Sequence, residues 1–346
     1  MSKDNNKHRH DLSMDTAREN LGVRPASPVA DLTPASEFGS QATGGHDPET
    51  LLAVETSPER AVGTNKLRLY VRRFFRNKLA VVGLIIFVGL VLASIFGGYL
   101  SQWSYDEPDF MNLSTPPSSE HWFGTTDGGN DLFAQTVHGL GRSLTIAVLV
   151  SLATLVLSAV IGAGAALYGG FMEKAVLAVI HFLLAIPTFL LIALLVADSA
   201  GDWKILVVVF ILFGWMYPAR VIWSLALSVR ENDYVRAARF MGVSRPRTVV
   251  RHIIPNIGSL LIIQFMLSIV STVMAETGLS FLGLGVKLPD VSLGTLLSVG
   301  SGALQSAPWQ FYFPAATLTL LTVSMAFIAD GLRDALDPNS KSGGKA

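Results

Sequence analysis

The chain has 346 residues, of which 50% are hydrophobic and only 15% are charged, and its mean hydropathy is +0.46. This composition excludes an ordinary soluble domain and indicates several membrane-spanning segments. The formal net charge is zero and cysteine is absent. The totals therefore give no reason to expect a nucleic-acid partner, and they exclude disulfides, thiolate metal sites and a cysteine nucleophile.

Residues 1–65 differ in kind from the rest of the chain. They are polar, rich in Pro, Gly, Ser and Asp, and without a sustained apolar period. Such a segment cannot bury enough surface to offset its ordering entropy, so we predict a disordered cytoplasmic tail. It has no apolar region of the kind found in a signal peptide.

Residues 66–78 predict an amphipathic helix that leads into the membrane. Basic residues are interleaved there with apolar ones, and Lys and Arg side chains suit the level of the lipid headgroups. The basic residues are Lys66, Arg68, Arg72, Arg73, Arg76 and Lys78.

Six apolar segments follow, at 79–100, 144–167, 175–197, 205–221, 257–274 and 311–328. Their lengths lie close to the roughly 20 residues that a helix needs to cross the hydrocarbon of a bilayer. Pro187 interrupts the third segment, and Ser158, Gly162 and Ala166 give the second a four-residue spacing that suits close helix packing. We predict an all-α membrane protein with six transmembrane helices within 79–338, followed by a short tail at 339–346.

The placement of Lys and Arg supports this topology. With a cytoplasmic N-terminus and six spans, only Arg142, Lys204 and Lys287 of the 26 Lys and Arg fall on the external side. Cytoplasmic loops carry the excess of basic residues in membrane proteins. We therefore expect both termini in the cytoplasm and the chain in the cell (inner, cytoplasmic) membrane.

The segment 231–256, here called the arginine loop, is a charged stretch between the fourth and fifth spans. Ala237 and Ala238 favour a helix and allow another surface to come close. Gly242 suits a helix C-terminus, because glycine adopts the left-handed conformation without strain. Ser244 is a candidate N-cap and Pro246 is tolerated in a first helical turn. The pattern predicts helix, turn, helix.

The second predicted helix of the arginine loop has an apolar stripe and a proline end. The stripe is formed by Val249, Val250, Ile253 and Ile254, and Pro255 closes the element. Judged by pattern alone, a basic amphipathic helix lying on the membrane is an alternative interpretation.

The spacing Ala237-Ala238, three residues, Gly242, nine residues and His252-Ile253-Ile254-Pro255 resembles the EAA loop of ABC-importer permeases. The family pattern is E-A-A-x3-G-x9-I-x-L-P, in which Arg236 here replaces Glu and His252 replaces Ile. The amino-acid sequence of this loop is similar to that of the peptide/nickel branch of the family. HWFGTTDGGNDLFAQTVHGLGRSL and ETGLSFLGLGV also resemble stretches of these permeases, although Asn130 stands where the family usually has Arg.

The resemblance covers about residues 66–338 and implies the type I ABC importer permease fold. It implies a second homologous permease subunit, two ATPase subunits or domains that bind ATP and Mg, an extracytoplasmic solute-binding protein and a peptide substrate. No cofactor is then bound by this chain. The coupling residues that it implies are Arg236, Ala237, Ala238, Arg239, Gly242, Ser244, Pro246, Arg247, His252 and Pro255.

Several ionisable residues in or near the spans are candidate structural or pathway residues. Glu276 is expected to hold a turn by accepting hydrogen bonds from backbone N–H groups. His181 is expected to be a satisfied core histidine. Asp330, Arg333, Asp334 and Asp337 are expected to be interface charges that pair with the arginine loop.

Motifs for catalysis are absent from the sequence. It contains no G-x-x-x-x-G-K-[ST], H-E-x-x-H or G-x-S-x-G pattern, so we expect neither a nucleotide site, a metal site nor catalysis in this chain. The alternatives to an importer subunit are a secondary transporter, which needs an intramembrane ion pathway, and a membrane scaffold whose basic loop binds anionic lipid.

Overall fold

The computed structural model describes residues 66–199 and 201–336, and the two predicted tails lie outside these residues. The described part is helical, with two isolated β-bridges in the loop after the second helix. The helices are α1 Lys66–Arg76, α2 Lys78–Phe96, α3 Leu132–Tyr168, α4 Gly170–Leu184, α5 Thr188–Val196, α6 Trp203–Gly214, α7 Met216–Arg230, α8 Asp233–Phe240, α9 Arg245–Thr248, α10 Ile254–Asn256, α11 Gly258–Phe281, α12 Leu293–Gly302 and α13 Trp309–Leu336.

Five helical segments in the described part are long and apolar enough to cross a membrane: Lys78–Tyr99, Leu132–Tyr168, Trp203–Arg230, Gly258–Phe281 and Trp309–Leu336. The pair α4 and α5 passes the same test together but is bent by 72°. The bend falls at Pro187, which has no N–H to continue the helical hydrogen bonding. Counted as one broken span, the pair brings the number of crossings to the predicted six.

Helix α3 begins at Leu132, twelve residues before the apolar segment predicted at 144–167, which it contains. Asp131 starts the helix, since its Oδ1 accepts a hydrogen bond from the backbone N–H of Ala134 at 2.7 Å. Gln135 and Thr136, in the first turns of α3, are polar but only 5% and 2% exposed. Helix α12 was not predicted.

The small residues of α3 pack against α7, as their four-residue spacing predicted. An added Cβ at Gly162 would lie 2.4 Å from the carbonyl oxygen of Ala219. Ser158 is buried and donates to the carbonyl of Trp215 at 2.8 Å, and Ala166 is also buried. The two backbones therefore approach each other as closely as these side chains allow.

The two ends of the bundle are held by different contacts. At one end, Arg230 Nη1 donates to the carbonyl oxygen of Ala166 near the end of α3, at 2.7 Å. Asn77, which caps α2, lies at this arginine-loop end too, and its Nδ2 donates to Asp334 Oδ2 at 3.1 Å. Asp334 thus pairs with Asn77, not with the arginine loop as expected. Asp337 lies outside the described residues.

Helix α1 forms within the predicted lead-in segment and packs on α13. Phe74 is 8% exposed and lies beside Gly331, while Phe75 is 58% exposed. The helix therefore has one side against the bundle and one side free of it, as an amphipathic element requires.

Candidate functional site

Gly242 forms the turn of the arginine loop. Its φ is +82°, a left-handed conformation that side chains with a Cβ rarely adopt, and nothing lies within 4 Å of its Cβ position. The N–H groups of Gly242 and Val243 donate to the carbonyls of Arg239 and Ala238 at 3.0 and 3.1 Å. These bonds satisfy carbonyls at the end of α8, and the predicted turn is confirmed.

The second part of the loop differs in detail from the prediction. Ser244 occupies the N-cap position, but its side chain makes no capping hydrogen bond, and its carbonyl accepts from the N–H and Oγ1 of Thr248 instead. Pro246 lies in the first turn as predicted. Val249–Ile253 is a π-helix, and Pro255 lies inside α10, which ends at Asn256.

One face of the loop is buried against α3. Val235, Val249 and Ile253 are 0%, 6% and 0% exposed and belong to one cluster with Ala163 and Leu167 of α3. The predicted apolar stripe is therefore wrong for Val250, which is 64% exposed.

The paired alanines point in different directions. Ala238 is 3% exposed, so it brings α8 close to the rest of this chain and not to a partner, whereas Ala237 is exposed. The coupling residues exposed alongside Ala237 are Arg236, Arg239, Gly242, Ser244, Pro246, Arg247 and Pro255, and His252 is half-buried.

The outer face of the loop combines apolar and basic side chains. Phe240 and Met241, directly before the turn, are 86% and 77% exposed. Sequence reasoning missed both, although their place beside a turn glycine in a polar loop was a usable signal. The arginines of this face have no partner among the described residues; they are Arg236, Arg239, Arg247 and Arg251.

The fifth arginine of the loop has a different position. The guanidinium carbon of Arg245 lies 5.0 Å from the centroid of the Tyr168 ring, at the last residue of α3. Such a cation–π contact stabilises the joined elements by about 0.5–1 kcal/mol at an exposed site. Together with the Arg230–Ala166 contact, it fastens the loop to the end of α3.

A cavity of ≈ 570 Å³ lies within the spans, between α3, α5, α6, α7 and α11. Its lining includes Thr154 of α3, Tyr217 of α7 and Gln264 of α11. None of the described residues that line it is charged. Hydropathy could not identify this lining, because each helix contributes only one side of its surface.

Glu276 is buried, at 1% exposure, and the prediction of backbone N–H partners is wrong. Its carboxylate accepts from Ser280 Oγ at 2.6 Å and from Ser143 Oγ at 3.1 Å. The serines in turn accept from the backbone N–H groups of Val286 and Leu293 at 3.3 and 3.2 Å. Glu276 therefore joins α3, α11 and the segment leading into α12 through hydroxyl groups.

His181 is exposed on α4, so the expectation of a core histidine is wrong. The α4 helix packs on α3 and α7 through one side, and Ile180, the neighbouring residue, is the one that is buried.

The opposite end of the bundle is held by His–Asp pairs. His121 is 1% exposed and stacks on Trp103, with Nδ1 2.9 Å from Asp131 Oδ2. Its Nε2 lies 3.5 Å from Asp109 Oδ2, without hydrogen-bond geometry. The described residues contain no group of three or more His, Cys, Asp and Glu suited to a metal ion.

Two carboxyl groups in this end have lowered pKa values. Hydrogen bonds donated by Ser114 and by Gln310 Nε2 (3.0 Å) hold the pKa of the Asp127 carboxyl below its ordinary value of 3.8. Those donated by Asn112 Nδ2 (2.7 Å) and the N–H of Met111 (2.9 Å) do the same for Asp109. In both cases the cause is stabilisation of the ionised form.

A bundle of apolar spans around an uncharged cavity, with a basic and apolar helix-turn-helix at one end, defines a membrane-transport subunit. The chain belongs to the family of binding-protein-dependent transport system inner membrane components, whose model matches residues 156–342. A second model, the N-terminal TM domain of oligopeptide transport permease C, matches residues 66–117. The predicted family and the all-α membrane fold are thereby confirmed.

Curated relatives agree over most of the chain. The oligopeptide transport system permease protein OppC of Mycobacterium tuberculosis (strain ATCC 25618 / H37Rv) is 42% identical over 276 residues, 79% of this chain and 95% of the relative. The protein of the same name in Escherichia coli (strain K12) is 34% identical over 78% of this chain and 90% of its own. The dipeptide transport system permease protein DppC of Bacillus subtilis (strain 168) is 31% identical over 77% and 84%.

Proposed function

We propose that the chain is the permease subunit of an ATP-driven, binding-protein-dependent importer of dipeptides or oligopeptides. The observation that carries the proposal is the outer face of the arginine loop, where exposed Phe240 and Met241 lie among arginines that have no partner in the described part of the chain. An exposed apolar patch with a polar rim is typical of a docking surface. The printed names of the relatives support peptides as the substrate.

The chain then supplies half of the translocation pathway and no catalysis. Its partners are a second homologous permease, two ATPase subunits or domains that bind ATP and Mg, and an extracytoplasmic binding protein that selects the peptide. The arginine loop and both termini face the cytoplasm, on the inner side of the cell membrane, in agreement with the basic residues at that end.

Coupling follows from how the loop is attached. Val249 and Ile253 pack on α3, and Arg245 and Arg230 hold the end of the same helix. A displacement of the loop by a closing ATPase dimer therefore tilts α3 as a rigid rod. Thr154 of α3 lines the cavity, so the tilt changes the access to the cavity from one side of the membrane to the other.

The test is the change Gly242→Val in the assembled complex, with Gly258→Val as its matched control. Both glycines have open space at the Cβ position, but only Gly242 has a positive φ. Valine therefore distorts the backbone at residue 242 and not at residue 258. We expect Gly242→Val to lower ATP-driven peptide uptake into proteoliposomes at least about tenfold, while membrane insertion and ATP hydrolysis persist.

Either of two results would count against the proposal. Normal uptake by the Gly242→Val complex would refute the coupling assignment. A wild-type complex that purifies without an ATPase and takes up peptide without ATP would refute the importer function and favour a secondary transporter.

A further inference from the structure

The wall of the membrane cavity includes one side of α11. Gln264, Ser268 and Ser271 line it at the spacing of a single helical face, and Tyr217 of α7 also lines it. Tyr217 is 63% exposed, so the cavity is open on the side of this residue. Ser271 and Tyr217 lie near the middle of their spans, which places the cavity well inside the membrane.

Three of the six hydroxyl-bearing residues that line the cavity are engaged within their own helices or turns. Thr154 Oγ1 donates to the carbonyl of Val150 at 2.8 Å, and Ser271 Oγ donates to that of Ser268 at 3.0 Å. Thr188 Oγ1 donates to the carbonyl of Ile186 at 3.3 Å. These donors are satisfied by the backbone and offer little to a solute.

Gln264 and Tyr217 differ from these residues. Within the described part of the chain, neither the amide of Gln264 nor the hydroxyl of Tyr217 has a hydrogen-bond partner. A glutamine amide has two N–H donors and a carbonyl acceptor, the same groups as the peptide bond, and a phenol both donates and accepts. Both groups are neutral, as is the rest of the described lining.

We propose that Gln264, assisted by Tyr217, binds the backbone amide of the transported peptide, so that this half of the pathway does not discriminate by side-chain charge. This inference rests on the proposed function. A fixed charge in the wall would attract one class of side chain and oppose the other, whereas an amide bonds equally to every peptide backbone. An amide also lowers the cost of removing the backbone from water.

The experiment compares uptake of the tripeptides Ala-Lys-Ala and Ala-Glu-Ala by the whole complex in proteoliposomes. The same binding protein is used throughout, so its own preference cancels when the uptake ratio of a variant is divided by that of the wild type. For Gln264→Glu we expect this ratio to shift toward the lysine peptide by about tenfold, as a carboxylate near a cationic side chain predicts.

Two further variants separate recognition from folding. Gln264→Leu should lower uptake of both peptides by the same factor and leave their ratio unchanged, and Tyr217→Phe should act the same way to a smaller extent. Gln102→Glu is the matched control, since Gln102 is exposed outside the cavity, and it should leave both uptake and ratio unchanged.

The inference is overturned if Gln264→Glu leaves the ratio unchanged or if Gln264→Leu transports both peptides at the wild-type rate. Its failure is distinguishable from failure of the proposed function. If only the inference fails, the wild-type complex still imports both tripeptides with ATP. If the proposed function fails, the wild-type complex imports neither.

Discussion

Asp290 Oδ2 lies 2.7 Å from Nε of Arg142, and Asp290 Oδ1 lies 2.9 Å from Nε2 of His138. The Arg142 contact is an ion pair and not an aligned hydrogen bond, because the N–H direction misses the oxygen. Both bases belong to α3, and Asp290 lies in the segment before α12. One carboxylate therefore joins two parts of the opposite end of the bundle, with all three side chains between 21% and 27% exposed.

Asp290→Asn should destabilise the protein, because it leaves Arg142 without its counter-charge in a mostly buried place. We expect the free energy of unfolding to fall by about 1–3 kcal/mol. This is less than for a fully buried pair, because solvent screens part of the attraction. Thermal unfolding in detergent measures it. Glu107→Gln is the control, since Glu107 is exposed at the same end; equal melting temperatures for both variants would contradict the role of the ion pair.

Gly162→Ala should destabilise the protein and Gly164→Ala should not. A Cβ at residue 162 would lie 2.4 Å from the backbone oxygen of Ala219, whereas residue 164 has nothing within 4 Å. We expect the free energy of unfolding to fall by about 1–3 kcal/mol for the change at residue 162. For the change at residue 164 it should rise by up to about 1 kcal/mol, because alanine has the higher helix propensity. Thermal unfolding of the pair decides, and indistinguishable variants would show that α3 and α7 are not held this close.

Glu276→Leu should destabilise more than Glu276→Gln. Leucine leaves the hydroxyls of Ser143 and Ser280 without their acceptor, at about 1–3 kcal/mol for each buried donor, whereas glutamine keeps one carbonyl oxygen. The measurement is the yield and melting temperature of the purified protein. A leucine variant as stable as the wild type would mean that the hydroxyls find other acceptors.

The Asp127 carboxylate should contribute stability that depends on pH. Its folded-state pKa is lowered from 3.8, so the contribution is complete above pH 3.8 and is lost as pH falls through the lower folded value. The melting temperatures of the wild type and Asp127→Asn should therefore differ at neutral pH and converge in acid. A difference that stays constant below pH 3.8 would contradict this sign.

Phe240→Ser combined with Met241→Ser should weaken retention of the ATPase without lowering stability. Both side chains are mostly exposed in the isolated chain, so polar replacements cost little in folding, but each removes an apolar anchor of about 1.5–3 kcal/mol from an interface. Co-purification in mild detergent measures retention. Phe110→Ser is the control, because Phe110 is 75% exposed at the opposite end; equal losses for both variants would argue against the docking surface.

The sequence by itself determined the membrane class, the approximate spans and the turn at Gly242. These features depend on local physics: a long uncharged run is stable only in hydrocarbon, and a left-handed turn favours glycine wherever it occurs. The spacing around Ala237 and Gly242 was also sufficient to identify the family, because it is contained within one short segment.

The tertiary structure alone decided which polar residues are buried and which arginines of the loop have no partner among the described residues. Gln135 is buried in a helix because its Nε2 reaches the carbonyl of Tyr105, 30 residues away, and Glu276 finds Ser143 at a separation of 133 residues. Arg245 differs from its neighbour Arg247 only because the Tyr168 ring lies within its reach. Hydropathy describes a residue's preference for water or lipid, but a polar side chain can be satisfied by a distant partner that only the folded chain brings near.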